Sequence, residues 1–173
     1  MRKTFTIFAI VSIAFVVLIA GCRKKPQQQA GDGNTQSESV GGGAGLEWIT
    51  DFESAKSKAG REGKDLFINF SGSDWCGWCK LLDREVFSRA EFVQKAGQSF
   101  VFVLADFPRD TSGQTKAVQQ QNQRLSDRYK VEGFPTVILA DSAGREYART
   151  GYVEGGPVKY LKYLEELRRT GHK

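Results

Sequence analysis

The stretch that most constrains this chain is Trp75-Cys76-Gly77-Trp78-Cys79-Lys80, which follows the apolar run Leu66 to Phe70 and opens a segment of helical periodicity. Cysteines three apart at a helix start share one face, so their sulfurs meet with little backbone movement. The first turn also offers unpaired N–H groups and a partial positive charge to the first sulfur, favouring its thiolate. A strand that hands over to a helix at such a pair is suited to dithiol–disulfide chemistry.

With 173 residues, 12 of them Phe, the chain is long and aromatic enough for one domain with a full core. The formal charge of +5 arises mainly from Arg2, Lys3, Arg23, Lys24 and Lys25, outside the expected domain, and residues 44–173 are close to neutral. That distribution argues against a nucleic-acid partner. One cysteine at position 22 and a pair at 76 and 79 leave no disulfide framework to build.

Met1-Arg2-Lys3 and the mostly apolar stretch from Phe5 to Ala20 have the two parts of an export signal. The junction Leu18-Ile19-Ala20-Gly21-Cys22 resembles the bacterial lipoprotein signal. That resemblance implies removal of residues 1–21 and lipidation of Cys22, with several acyl chains holding at about 0.8 kcal/mol per buried methylene. An uncleaved span is the other reading, although about 17 residues is short for one. Residues 22–45, with Gln27 to Gln29 and Gly41 to Gly43, form the lipidated end and a flexible tether with a reach of roughly 25 Å. The expected protein is therefore exported, lipid-anchored to a bacterial membrane and facing the periplasm or cell exterior, with residues 46–173 as the folded domain.

Within that domain, Thr50-Asp-Phe-Glu53 has the capping-box pattern and predicts a helix over 51–61. Leu66 to Phe70 reads as a buried strand, and Ser71 to Asp74 as the loop delivering the chain to Trp75. Cys79, Leu82 and Val86 fall on one helical face, so Cys79 is expected inside and Cys76 accessible at the tip. A second capping box, Ser88-Arg-Ala-Glu91, predicts a short helix to Ala96, followed by a buried strand from Phe100 to Ala105. Val118, Leu125 and Tyr129 mark another helix, closed by Val131-Glu-Gly133. Thr136 to Ala140 and Arg145 to Thr150 read as a hairpin, and Pro157 opens a last helix striped by Tyr160, Leu164 and Leu167.

A strand, the WCGWCK motif at a helix start, and then Gly133-Phe-Pro-Thr136 entering a hairpin together resemble the thioredoxin superfamily over about residues 46 to 170, in its exported lipoprotein subgroup. The resemblance implies an α/β fold with a central mixed sheet flanked by helices, an N-terminal helix and a longer helical insertion before the cis-proline loop. It makes Pro135 the cis-proline packed against the disulfide, and Phe134 the residue whose backbone pairs with an incoming polypeptide as an added strand. Cys76 becomes the nucleophile and Cys79 the resolving thiol, with Trp75, Gly77, Trp78 and Lys80 around them. One departure bears on mechanism. Where thioredoxin carries a buried acid on the strand before the motif, this chain has Asn69 and Phe70, which exchange no proton. Asp83, seven residues beyond Cys76, is the candidate replacement, and Glu85 the next.

No cofactor or resident metal is implied. The expected partners are protein disulfides and, for a reductase at an oxidising destination, a membrane electron donor. Gly77-Trp78 lacks the histidine common between the cysteines of strong oxidants in the superfamily, which favours reduction over oxidation or isomerisation. The competing class is a Cu(I)-binding metallochaperone using the same pair, since two thiolates suit a soft ion; the single histidine, His172, is expected free in a tail.

Overall fold

The computed structural model describes residues 45–172; the expectations for residues 1–21, Cys22 and the tether up to residue 44 lie outside the described residues. Five strands form one mixed sheet: β1 (Trp48–Ile49), β2 (Asp65–Ser71), β3 (Phe100–Asp106), β4 (Thr136–Ala140) and β5 (Glu146–Thr150), in the order β1-β3-β2-β4-β5. Strands β1, β3 and β2 are parallel, and β4 and β5 run antiparallel to their neighbours. Helices α1 (Phe52–Glu62), α2 (Gly77–Leu82), α3 (Ala90–Ala96), α4 (Lys116–Tyr129) and α5 (Gly156–Gly171) cover the sheet.

All seven residues of β2 are buried, as a central strand covered on both faces requires. Side chains alternate across it. Leu66, Ile68 and Phe70 pack with Phe52, Leu125 and Tyr129 on one side, while Phe67 packs with Trp48, Phe87, Phe92 and Tyr160 on the other. Tilted and edge-on ring contacts between 5.4 and 6.3 Å tie Phe67 to Trp48, Phe87, Phe92, Phe100 and Phe102. By the same parity Asp65, Asn69 and Ser71 share the face of Phe67, toward α2 and α5.

Several local expectations shift. The N-cap of α1 is Asp51 rather than Thr50, its carboxylate accepting the Ser54 N–H at 2.7 Å. Ser88 does not cap α3; its hydroxyl donates to the Arg84 carbonyl, and Arg89 takes the cap position. In both cases a side chain one residue away, or a preceding turn, satisfies the competing polar group better than the sequence pattern indicates. Strand β1 is two residues long and owes its existence to pairing with β3. Helix α2 continues after six residues into a single wide turn, Asp83–Phe87, which buries Val86 and Phe87. His172 is not free: its Nε2 lies 2.9 Å from Asp65 Oδ2 and its ring packs 4.4 Å from Tyr147. Arg168 donates from Nε to the same Asp65 oxygen at 2.7 Å.

Candidate active site

The end of β2 releases the chain at Ser71, and a turn through Gly72 to Asp74 brings Trp75 and Cys76 to the start of α2. The Cys76 N–H donates to the Gly72 carbonyl at 2.8 Å, which closes this turn. Cys76 is the N-cap of α2 and is joined to Cys79 by a disulfide, with Cα atoms 5.3 Å apart. The Cys79 N–H donates to Cys76 Sγ at 3.1 Å. A donor placed this way satisfies one orphan N–H of the helix and faces whatever charge develops on the Cys76 sulfur.

The expected contrast in exposure between the two cysteines is not found, because both are 6% exposed. Cys76 Sγ lies against the first turn of α2, bonded to Cys79 Sγ and accepting the Cys79 N–H. Access is governed by the surrounding rings. Trp75 and Trp78 flank the pair, 41% and 61% exposed. Trp75 donates its indole N–H to the Phe107 carbonyl at 2.8 Å and stands edge-on to Phe134 at 5.9 Å. Trp78 lies 5.4 Å from Tyr152, whose hydroxyl donates to Glu85 at 2.6 Å. Between them Gly77 leaves an open face, since a Cβ there meets nothing within 4 Å. Lys80 points back and donates from Nζ to the Asp74 carbonyl at 2.6 Å.

The Phe134–Pro135 bond is cis. Phe134 stacks on Phe107 at 5.2 Å and meets Trp75, so this loop from far along the chain arrives beside the cysteine motif. Gly151 permits the close approach of the next loop: a Cβ there would lie 2.9 Å from the Pro135 carbonyl oxygen.

Beneath the disulfide is a cavity of about 290 Å³ lined by Cys79, Asn69, Ser71, Lys80, Asp83 and Asp106, among others. Asn69 is 6% exposed, and its Oδ1 has no hydrogen-bond partner among the described residues. Asp83 is half-buried on the wall of this cavity, and burial pushes its carboxyl above the usual range. Glu85 is directed elsewhere, to Tyr152. The structure thus separates the two acids that spacing alone left as alternatives: Asp83 shares a cavity with Cys79, and Glu85 supports Trp78 through Tyr152.

Sequence reasoning missed the ties that hold this turn. Asp74 accepts from the backbone N–H groups of Arg109 and Asp110, and Asp106 accepts from Ser73. Their separations of 33 to 36 residues leave no local signal. Among the described residues no group of three or more His, Cys, Asp or Glu side chains could hold a metal ion.

Residues 52–168 match the family model of the thioredoxin-like domain. The chain is 31% identical over 161 residues to a disulfide bond reductase, DsbH, of Chlamydia pneumoniae, covering 91% of this chain and 95% of the relative. It is 32% identical over 104 residues to the thioredoxin-related protein DsbJ of the same organism, covering 60% of this chain and 30% of that protein. A solved structure of a DsbH oxidoreductase superposes with a TM-score of 0.68 at 32% identity, covering 73% of this chain and 86% of that one.

Proposed function

The chain belongs to the thioredoxin-like family and is a thiol–disulfide oxidoreductase, and we propose that it works as a membrane-tethered reductase of protein disulfides. The observation that carries the direction is the Gly77-Trp78 pair between the cysteines, which brings no cation to the Cys76 sulfur and leaves the neutral first-turn N–H of Cys79 as its donor. Likeness to a disulfide bond reductase over nearly its whole length supports the same direction.

In the forward reaction the Cys76 thiolate attacks one sulfur of a substrate disulfide and expels the other as thiolate. Cys79 then gives up its proton and attacks Cys76 Sγ. The second substrate sulfur leaves as thiolate, and two electrons have passed from the dithiol to the substrate. Asp83 is the proton acceptor in this reading, because it lines the cavity that reaches Cys79 and its raised pKa brings it closer to that of a thiol. Asn69, at the strand position next to Cys79, accepts hydrogen bonds but no proton. The backbone at Phe134 offers an extended substrate segment strand-like pairing beside Trp75. A membrane dithiol donor would return the two electrons. Export, cleavage after residue 21, lipidation of Cys22 and a tether to residue 45 complete the proposal.

The deciding measurement is the reduction potential of the purified domain, paired with the redox state of Cys76 and Cys79 in cells. A reduced pair near the value of about −270 mV typical of thioredoxin is expected; an oxidised pair near −120 mV would reverse the direction. Cys79→Ser should accumulate mixed disulfides at Cys76, and Cys22→Ser should release the protein from membranes.

A further inference from the structure

We propose that Asp74 is a positioning residue that fixes Trp75 as a contact surface for an apolar side chain of a polypeptide substrate; this rests on the thiol–disulfide activity of the adjacent cysteines. Asp74 lies two residues before Cys76 in an exposed turn. Its carboxylate reaches across to the loop after β3. There the Arg109 N–H is shared between its two oxygens at 3.0 and 2.9 Å, and the Asp110 N–H reaches Oδ2 at 3.1 Å. The tie is reciprocal, because Asp106 accepts from the Ser73 N–H at 2.9 Å and from its hydroxyl at 2.6 Å. The loop is stiffened in turn by Asp110, which caps a short turn by accepting the Ser112 N–H at 3.0 Å.

That same loop supplies most of what holds Trp75. Phe107 gives the carbonyl that accepts the indole N–H, and the Arg109 guanidinium stands 5.8 Å from the ring centre. Phe134, from the cis-proline loop, meets the ring edge and is itself stacked on Phe107. Below, Gly72 supplies the bed: a Cβ there would lie 2.4 Å from the indole. A ring held by Phe107, Arg109, Phe134 and Gly72, on a residue still 41% exposed, is not serving as core. A rigid aromatic surface costs little entropy on contact, which suits a docking surface beside the reactive sulfur. The surface is continuous with Phe134, so its occupant is a polypeptide side chain next to the substrate cysteine rather than a small thiol compound.

Full-length protein and its Asp74→Ala variant are assayed with insulin, a polypeptide disulfide, and with glutathione disulfide. Asp74→Ala is expected to raise KM for insulin about tenfold while kcat, and the rate with glutathione disulfide, stay within about twofold. Asp74→Asn, which keeps one acceptor oxygen, should recover most of the loss. Gly72→Ala alters none of the groups bonded to Asp74 but crowds the indole on its bed, and should reproduce the insulin defect; this variant decides the matter where Asp74→Ala folds poorly. Equal slowing with both substrates would overturn the positioning role alone, as would an unchanged KM for insulin in Asp74→Ala and Gly72→Ala. An unsubstituted protein inactive on both substrates would instead remove the underlying activity and this proposal with it.

Discussion

Asp65 and Asn69 stand on one face of β2, about 13 Å apart at the rise of an extended strand, with Phe67 between them and both side chains buried. The protein treats them in opposite ways. Asp65 Oδ2 receives the Tyr147 hydroxyl at 3.0 Å and Arg168 Nε at 2.7 Å, with His172 Nε2 2.9 Å away. Asn69 Oδ1, on the cavity that Cys79 also lines, has no partner among the described residues. The first is a charge whose attractions are saturated, as a structural role demands. The second is a neutral group on a cavity wall, where a fixed charge would bias the leaving and returning of the Cys79 proton. At the structural end the polar atoms are satisfied; at the chemical end one is left with capacity to spare.

Substitutions at each end can break or sharpen this contrast. The largest effect is expected for Asp65→Ala, which removes the partner of a half-exposed guanidinium and of a part-buried hydroxyl. A loss of about 3 kcal/mol in urea unfolding is expected, with disulfide exchange per folded molecule unchanged. A loss under about 1 kcal/mol would mean that the cluster is no more than a surface pair. Next comes Asn69→Asp, which places a carboxyl in the cavity without a bonded cation. Burial would raise its folded pKa above the unfolded value, so stability should be intact in acid and fall by about 1 to 2 kcal/mol as pH rises through that interval. A pH-independent difference from the parent protein would remove the distinction drawn between the two ends.

His172→Ala should cost about 0.5 to 1 kcal/mol, the worth of one contact at the saturated end. Amide exchange in the last turn of α5 is a direct readout. The smallest stability change is expected for Asp83→Asn. Because burial raises the Asp83 pKa, its ionised form opposes folding at neutral pH. The variant should therefore melt about 1 to 2 °C higher at pH 8 and equally at pH 3, where the carboxyl is protonated in both states. The same variant should slow the resolving step, seen as a longer-lived mixed disulfide. Unchanged decay of that species would assign the proton to another group.

The parts of this molecule that could be read from sequence are those whose causes are local. Trp75 to Lys80 and Gly133 to Thr136 each carry their geometry in consecutive residues, and the apolar runs of β2, β3 and β4 announce buried strands. Strand β1 was not legible, because two residues become a strand only through Phe102 and Val103 about fifty positions later. The misjudged residues share this cause. His172 looked like a tail until Asp65, 107 residues away, was placed beside it. Asp74 looked like an ordinary turn acid until Arg109 and Asp110 came to meet it. Cys76 looked exposed because helix position alone sets no burial; in the structure it is buried and bonded to Cys79.

The central placement of β2 also bears on how the molecule comes into being. Its two neighbours are β3 and β4, and two of the side chains that meet Asp65 are Arg168 and His172. A chain that emerges amino end first shows Cys76 and Cys79 to its surroundings before any of these exist. The strand that completes the site ends at Ala140, about sixty residues later, which at synthesis rates of 5 to 20 residues per second is an interval of about 3 to 12 s. During that interval the two thiols are ordinary cysteines on a nascent polypeptide, open to any oxidant they meet. Their chemistry becomes selective only when the later half of the chain closes over them.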